Sequence, residues 1–457
     1  MNKKMVGEID ERTPLLLLAG PMFVELFLNI FLNNIDTLML SHYSERAVGA
    51  VGNANQVMFL MIIMFNIIAT ATSVVVAQYL GAKQFDKMNM IYTVAIVVNF
   101  VFGIVLSLGL VFGKGAIFSL LKVPESMRGD AMIYVNIVGG FLFFQAGYNV
   151  MLQILRCNGY TKVGMYISLV INIINIIGNF MFLYGPLKFL NLGVAGVAIS
   201  TVTARAIALI ISFVVFYRVK IGKISFRYIR PFPYDMLKQM IKIGLPSAGE
   251  NLSYNLYQLV LLSFINSMGD NAVNAKVYCS SLISFAMIFS NAAAMATQII
   301  TGHLVGAGKN EEACKKVLST LKVSLPITIA VASINWLISP ITLKIFTANQ
   351  DIIKLAYYIM LVDIFIEIGR CLNMTVVNSL KAAGDYMYTL YIGLLTMWCL
   401  GATIGYGLGI VAGIGVAGVF IGTATDECIR GLIVLRRWCK KKWVGKAIVK
   451  NDNKEEA

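Results

Sequence analysis

Four polar side chains follow one another along the first apolar stretch of the chain, where a membrane helix must turn them away from lipid. Glu25, Asn29, Asn33 and Asp36 fall within about 80° of arc at 100° per residue, so they form one polar stripe. An ionisable group at the bilayer centre costs roughly 2.5–3.5 kcal/mol and needs a partner or water. Asp36 has no cation within its own helix, which favours a functional role for this carboxylate.

A carboxylate among amides and hydroxyls has two natural uses inside a membrane. Ionised, it binds Na⁺ together with neutral oxygen ligands; desolvated, it accepts and carries a proton. Asn172, Asn175 and Asn179 recur at helical spacing in the fifth apolar stretch, so their amides share one face. Buried amides also join helices without further function, and the sequence leaves both roles open.

The second half of the chain carries two comparable polar sets. The seventh apolar stretch places four polar side chains on one face: Glu250, Tyr254, Tyr257 and Gln258. The tenth holds Asp363, Glu367 and Arg370 about one turn apart, as in either a self-neutralising ion pair or a functional site. A third group is expected near helix ends, where long side chains reach the interface, and receives no role: Arg205, Asp426 and Glu427.

The elements that position these residues are predicted to be membrane helices. Of 457 residues, 58% are hydrophobic and 13% charged, which excludes a water-soluble domain. Apolar stretches of about 20 residues without alternation indicate helices rather than barrel strands. The fold class is therefore an all-α polytopic membrane protein with twelve transmembrane helices, at roughly 15–40, 48–78, 90–113, 131–153, 163–187, 193–217, 241–267, 273–300, 320–343, 355–380, 386–409 and 411–435.

The chain repeats itself once. Pro21 and Glu25 recur as Pro246 and Glu250, Gly81-Ala82 recurs as Gly306-Ala307, and the segment 193–197 recurs at 415–419. Duplication predicts two six-helix lobes with pseudo-two-fold symmetry. We expect an N-terminal lobe, an inter-lobe linker, a C-terminal lobe and a tail, at 14–219, 220–238, 239–440 and 441–457.

The formal net charge of +15 is mainly a topology signal. Basic residues concentrate in alternate short loops, which predicts that both termini face the cytoplasm. Nucleic-acid or anionic-lipid binding is the weaker interpretation of the same charge. The seven cysteines form no CxxC pair, and the sequence contains no P-loop, HExxH or GxSxG. Gly413, Gly415 and Gly418 spell a GxGxxG, but no strand precedes it and its surroundings are apolar, which disfavours a nucleotide site. We therefore expect neither an enzyme nor a bound cofactor.

Several short segments stand out along the chain: Pro21 with Asp36 fifteen residues on, and three repeated pairs, GAKQFDK and GAGKNEE, RCNGYTK and KAAGDYM, and GVAGVAIST and GVAGVFIGT. In this order they resemble the multidrug and toxic compound extrusion (MATE) transporters over essentially the whole chain. The resemblance implies two six-helix lobes around a central cavity. It also implies efflux of organic cations in exchange for Na⁺ or H⁺. Asp36 matches the acid of the family's first helix, and Asn175 and Asn179 match the polar pair of its fifth.

The carboxyl-terminal half departs from the family pattern. Tyr254 stands where NorM-like members place an acid, and Arg370 lies near another expected acid. We therefore predict that Asp36 binds the coupling ion, a possible Na⁺, with Asn175, Asn179 and Asn33. Candidate residues of the substrate cavity are Glu25, Glu250, Tyr254, Tyr257, Gln258, Asp363, Glu367 and Arg370.

The expected function is a cation-coupled multidrug efflux antiporter, a monomer in a prokaryotic cytoplasmic (inner) membrane, in contact with membrane lipids and not with nucleic acid. One alternative is a flippase for lipid-linked oligosaccharides, which needs fixed positive charge to hold a diphosphate. Arg205 and Arg370 are the basic residues available for that role. A second alternative, an intramembrane enzyme or receptor, needs a catalytic cluster or a sizeable soluble domain, and the sequence contains neither.

Overall fold

The protein is described here by a computed structural model that covers residues 9–10, 12–120 and 123–449, without the side chains of Asn33, Asn34, Glu45 and Leu120. All regular structure within these ranges is helical. The predicted residues 450–457 of the tail and the predicted ligand side chain of Asn33 lie outside the described part.

The first half of the chain forms seven α-helices. Their bounds are α1 Leu15–Tyr43, α2 Glu45–Gly81, α3 Phe85–Leu120, α4 Glu125–Tyr134, α5 Leu142–Cys157, α6 Thr161–Leu183 and α7 Val194–Arg218. A π-helical turn, Val135–Gly139, joins α4 to α5, and the two helices are bent by 47°. The sequence had predicted a single helix here, at 131–153. Gly139 and Gly140 at the break explain the bend, since consecutive glycines and π-helical turns both weaken the helical hydrogen-bond ladder.

The second half forms another seven α-helices. They are α8 Tyr234–Asn266, α9 Asp270–Gly306, α10 Asn310–Thr342, α11 Gln350–Ala382, α12 Tyr386–Leu395, α13 Thr403–Tyr406 and α14 Val416–Cys439. Two π-helical segments, Thr396–Ala402 and Gly407–Val411, flank α13 and make one long helical stretch with α12. Three short 3₁₀ turns complete the regular structure of the described ranges.

The all-helical class is confirmed, and many of the helices are suited to a membrane. Eight helices in the described ranges are long and apolar enough to cross a bilayer, or nine if the bent pair α4 and α5 is one span. Helices α8, α11 and α14 are not among them; α11 and α14 carry the charged residues Asp363, Glu367, Arg370, Asp426, Glu427 and Arg430. Twelve spans therefore stay a prediction.

Packing divides the chain into two compact units that do not coincide with the sequence halves. Unit 1 contains Val24–Val76 and Gln84–Gly244. Unit 2 contains Ile9–Phe23, Ala77–Lys83 and the described residues from Leu245 onward. Helix α1 therefore begins in unit 2 and continues in unit 1, whereas α8 begins in unit 1 and continues in unit 2.

Each unit has its own apolar core. In unit 1, buried side chains of α2, α3, α5 and α7 meet, including Phe65, Leu110, Leu142 and Val197. In unit 2, the corresponding core joins α8, α9, α11 and α14, with Leu261, Ala275, Ile359 and Val419 among its members. These cores hold the helices that carry the buried polar residues.

Glycines let α14 lie directly against the helical stretch that contains α13. A Cβ atom added at Gly422 would lie 2.5 Å from the backbone nitrogen of Gly405 and 2.6 Å from the carbonyl oxygen of Gly401. A Cβ atom at Gly418 would lie 2.7 Å from the nitrogen of Gly409. Gly405 and Gly409 therefore lie at a backbone contact that side chains at Gly418 or Gly422 would prevent.

Candidate functional site

The structure brings the predicted coupling residues of unit 1 together around Asp36. Asn179 of α6 donates a hydrogen bond from Nδ2 to Asp36 Oδ1 at 2.8 Å and lies 3.1 Å from Asn175 Oδ1. Asn175 in turn lies 3.2 Å from Thr201 Oγ1 on α7. Asn175 and Asn179 are buried, whereas Asp36 is half-buried. Helix α1 thus presents a carboxylate to a row of amides and a hydroxyl.

The amide of Asn175 fits this row best after a 180° rotation. Its nitrogen then lies 2.7 Å from Asp36 Oδ1 and 3.2 Å from Oδ2, and its oxygen accepts from Thr201 Oγ1 at 3.2 Å. In that orientation two amides donate to an ionised Asp36. Because an amide exposes oxygen on one side and nitrogen on the other, rotation of the side chains would offer oxygen to a cation instead.

Arg205 lies close to this site, contrary to the expectation that it sits near a helix end. It is half-way along α7 and one turn beyond Thr201, so both side chains lie on the same face of the helix. Its guanidinium interacts electrostatically with Asp36 and with the buried Tyr134. No salt bridge joins Arg205 to a described carboxylate, and its Nη1 has no hydrogen-bond partner there.

Glu25, a predicted cavity residue, is instead held in a buried ion pair. Its Oε1 lies 2.7 Å from Nη2 of Arg156 at the end of α5, and the two side chains are 3% and 5% exposed. Glu250, at the equivalent place in the repeat, pairs with Lys381 at the end of α11 at 2.8 Å. These positions favour a structural role for both glutamates, although the sequence had suggested lining of a cavity.

Unit 2 contains a larger cluster of buried charge between α11 and α14. Six charged side chains, each at most 8% exposed, take part: Asp363, Glu367, Arg370, Asp426, Glu427 and Arg430. Arg370 bonds to Glu367, and Arg430 Nη2 lies 3.2 Å from Asp426 and 3.1 Å from Glu427. Asp426 and Glu427 are near the middle of α14, which corrects their expected place near a helix end.

Four carboxylates face two guanidinium groups in this cluster. Glu427 interacts electrostatically with both Glu367 and Arg370, so the charges of the two helices act together. Asp363 Oδ1, Glu367 Oε2 and Asp426 Oδ1 have no hydrogen-bond partner among the described residues. A buried excess of negative charge requires protons or a bound cation. The charges of α11, the tenth predicted helix, are therefore not balanced within that helix, because α14 adds two more acids and one arginine to the cluster.

The polar face of α8 beyond Leu245 lies in the same unit. Tyr257 is fully buried and lies 3.5 Å from Thr423 on α14, and its ring meets Trp398 edge to face. Tyr254 interacts electrostatically with Arg370, and Gln258 is half-buried. Tyrosines thus occupy the side of α8 that faces the charged cluster.

The fold and these sites define the class of protein: it is a helical membrane protein with an internal repeat and with ionisable groups buried in both units. The MatE family profile matches residues 21–181 and 246–407. An uncharacterised transporter, YisQ of Bacillus subtilis, is 36% identical over 439 residues, 96% of each chain. A probable multidrug resistance protein NorM of Thermotoga maritima is 21% identical over 99% of this chain and 97% of its own length.

Solved structures show the same fold. A transporter of the MOP superfamily from Pyrococcus furiosus superposes with a TM-score of 0.88 at 19% identity, covering 96% of this chain and 98% of its own. The chain belongs to the MatE family: it is a MATE family membrane transporter and not an enzyme.

Proposed function

We propose that this transporter is an efflux antiporter that exchanges small organic cations for Na⁺ or H⁺, and that Asp36 binds the coupling ion. The observation that carries the proposal is the half-buried Asp36 carboxylate, held by Asn179 at 2.8 Å without a salt bridge to any described residue. A carboxylate with a permanent ion-pair partner exchanges cations poorly, whereas one held by neutral amides can bind and release them.

The surroundings of Asp36 suit either coupling ion. Na⁺ would find oxygen ligands in the carboxylate, the Thr201 hydroxyl and the Asn179 Oδ1, which is buried and has no partner in the described part of the chain. A proton needs no such ligands and only has to reach the exposed side of the carboxylate. In either case Arg205 opposes the binding of one more positive charge at this site, so release requires little additional energy.

The charged cluster of unit 2 supports the same class of function. Its excess of carboxylates over guanidinium groups attracts cations and repels anions. The flippase alternative needs fixed, uncompensated positive charge. Arg370 is bonded to Glu367, and Arg205 interacts electrostatically with Asp36, so each of these two arginines has an acid nearby. The geometry therefore favours an organic cation as substrate.

We further propose that the protein works as a monomer in a prokaryotic inner membrane, with both termini in the cytoplasm and lipid around its apolar helices. The bacterial relatives and the apolar surface of the candidate spans support this location. Alternating access, driven by competition between the coupling ion and the substrate, would link the two units.

Transport in proteoliposomes tests the coupling role of Asp36. The wild-type protein should expel a fluorescent lipophilic cation when a Na⁺ gradient or a proton gradient is imposed, and comparing the two gradients identifies the ion. Asp36→Asn keeps the size of the side chain and its capacity to accept a hydrogen bond, but it should lose gradient-driven transport. Unchanged gradient-driven transport by this variant would show that the coupling ion binds elsewhere.

A further inference from the structure

Each repeat places a proline, a glutamate and a base at equivalent positions, and the structure joins the last two. Pro21 and Glu25 correspond to Pro246 and Glu250 at an offset of 225 residues, and the same offset takes Arg156 to Lys381. The ion pair of unit 1, Glu25 with Arg156, is thus the counterpart of the ion pair of unit 2, Glu250 with Lys381.

The pairs lie just beyond the points at which the chain passes from one unit to the other. Helix α1 changes unit between Phe23 and Val24, and α8 changes unit between Gly244 and Leu245. Pro21 and Pro246 lie within these helices close to the same points. A proline inside a helix removes one backbone hydrogen bond, so each helix is weakest where it leaves one unit and enters the next.

In unit 1 the ion pair begins a line of contacts between α1 and α6. Glu25 Oε2 would lie 3.1 Å from a Cβ atom at Gly164, in the first turn of α6. Further along, Ser168 Oγ bonds to Asn29 Oδ1 at 3.2 Å, and Asn179 then reaches Asp36. The Glu25–Arg156 pair thus joins α1 to the end of α5, at the place where the contacts between α1 and α6 begin.

Unit 2 repeats this arrangement with α8 and α12. Glu250 Cγ would lie 3.4 Å from a Cβ atom at Gly393, and Trp398 donates a hydrogen bond to Ser253 Oγ at 3.0 Å. Tyr257, one turn further along α8, lies within the apolar core of this unit. The Glu250–Lys381 pair again lies at the beginning of a row of polar contacts, here between α8 and the helical stretch that begins with α12.

We propose that Glu25–Arg156 and Glu250–Lys381 are two repeat-related anchors, positioning residues that hold α1 and α8 against the ends of α5 and α11, beside α6 and α12, beyond each proline. The anchors act through the sites they align and do not bind the transported ion. The inference rests on the proposed transport function for its activity readout, while its structural readout is independent of that function.

If the two ion pairs act as anchors, replacing arginine by lysine or lysine by arginine within them should preserve transport. Because the repeats use arginine and lysine at the same place, Arg156→Lys and Lys381→Arg should retain transport. Glu25→Gln leaves the Arg156 guanidinium buried and unpaired, and Glu250→Gln does the same to Lys381. Each of these two variants should lower the transport rate by about tenfold or more, as hinge-region changes do.

Hydrogen exchange of the purified protein distinguishes an anchor from a general loss of stability. Glu25→Gln should accelerate exchange in α1 between residues 24 and 43, and Glu250→Gln should do so in α8 after residue 250. The control is Asp385→Asn, which breaks the ion pairs of the buried Asp385 with Arg437 and Lys446 and leaves the Glu250–Lys381 pair in place. The control should leave exchange in α1 and α8 at the wild-type level.

The outcomes separate the two proposals. Exchange in α1 that stays at the wild-type level in Glu25→Gln, or transport that is lost equally in Arg156→Lys and Glu25→Gln, overturns the anchor role. Gradient-driven transport that survives in Asp36→Asn overturns the coupling proposal. The anchor role is then decided by the hydrogen-exchange result alone. A Glu25→Gln protein that does not fold is replaced in this comparison by Glu25→Asp, which keeps the charge, shortens the reach, and should show a smaller change in the same direction.

Discussion

Replacing Arg430 by methionine tests whether the charged cluster of unit 2 carries an excess of negative charge. Arg430 lies 3.2 Å from Asp426 and 3.1 Å from Glu427, and all three side chains are at most 4% exposed. Methionine keeps much of the volume but removes the positive charge. Four buried carboxylates would then face Arg370 alone.

The size of the effect follows from burial. Removing one partner of a buried ion pair costs about 3–5 kcal/mol, because the remaining charge has no compensation. Arg430 serves two carboxylates at once, so Arg430→Met should reach the upper part of that range. Asp426→Asn is the matched control on the same helix: it removes one surplus negative charge while keeping the shape, and should change stability by no more than about 1 kcal/mol.

Thermal unfolding of both variants in detergent, followed by tryptophan fluorescence, measures this difference. A large fall in the unfolding midpoint for Arg430→Met and a small change of either sign for Asp426→Asn would support the surplus of acid. Equal and large losses in the two variants would refute the reasoning, since they would mean that acids and bases in the cluster balance each other.

Two further predictions concern packing and charge. Gly422→Val should destabilise unit 2 by about 1–3 kcal/mol, because its side chain would meet the backbone of Gly405 and Gly401, whereas Gly407→Ala, with open space around the added atom, should be nearly neutral in the same unfolding assay. Arg205→Gln should raise the affinity for the coupling cation by about tenfold, which corresponds to ~1.4 kcal/mol of removed repulsion at Asp36. The cation concentration that half-saturates transport measures this affinity. An unchanged or lower affinity would contradict the influence of Arg205.

The helices and the Asp36 site were predictable because both depend on local spacing. Apolar stretches identify helices directly, and the four-residue step from Asn175 to Asn179 already placed two amides on one face. The resemblance to MATE transporters then suggested that this face meets Asp36, and the hydrogen bond from Asn179 agrees with that arrangement. The bend between α4 and α5 was missed, since a π-helical turn has little signature in hydrophobic pattern.

The charge partners were harder to predict because they lie far apart along the chain. Arg156 and Glu427 come from helices other than those that carry Glu25 and Glu367, and spacing within one helix says nothing about such neighbours. One signal was present and unused: the offset that aligns Glu25 with Glu250 also aligns Arg156 with Lys381. A basic residue that recurs at the same offset as a buried acid would have indicated both ion pairs.

Competition at Asp36 is the most direct test of the central claim that one carboxylate exchanges the coupling ion for the substrate. Isothermal calorimetry of a lipophilic cation binding to the purified protein, in buffers that differ in Na⁺ concentration and in protonation enthalpy, counts the cations released. The wild-type protein should release Na⁺ or protons as the organic cation binds, and Asp36→Asn should release fewer. An identical release by the two proteins would contradict the account.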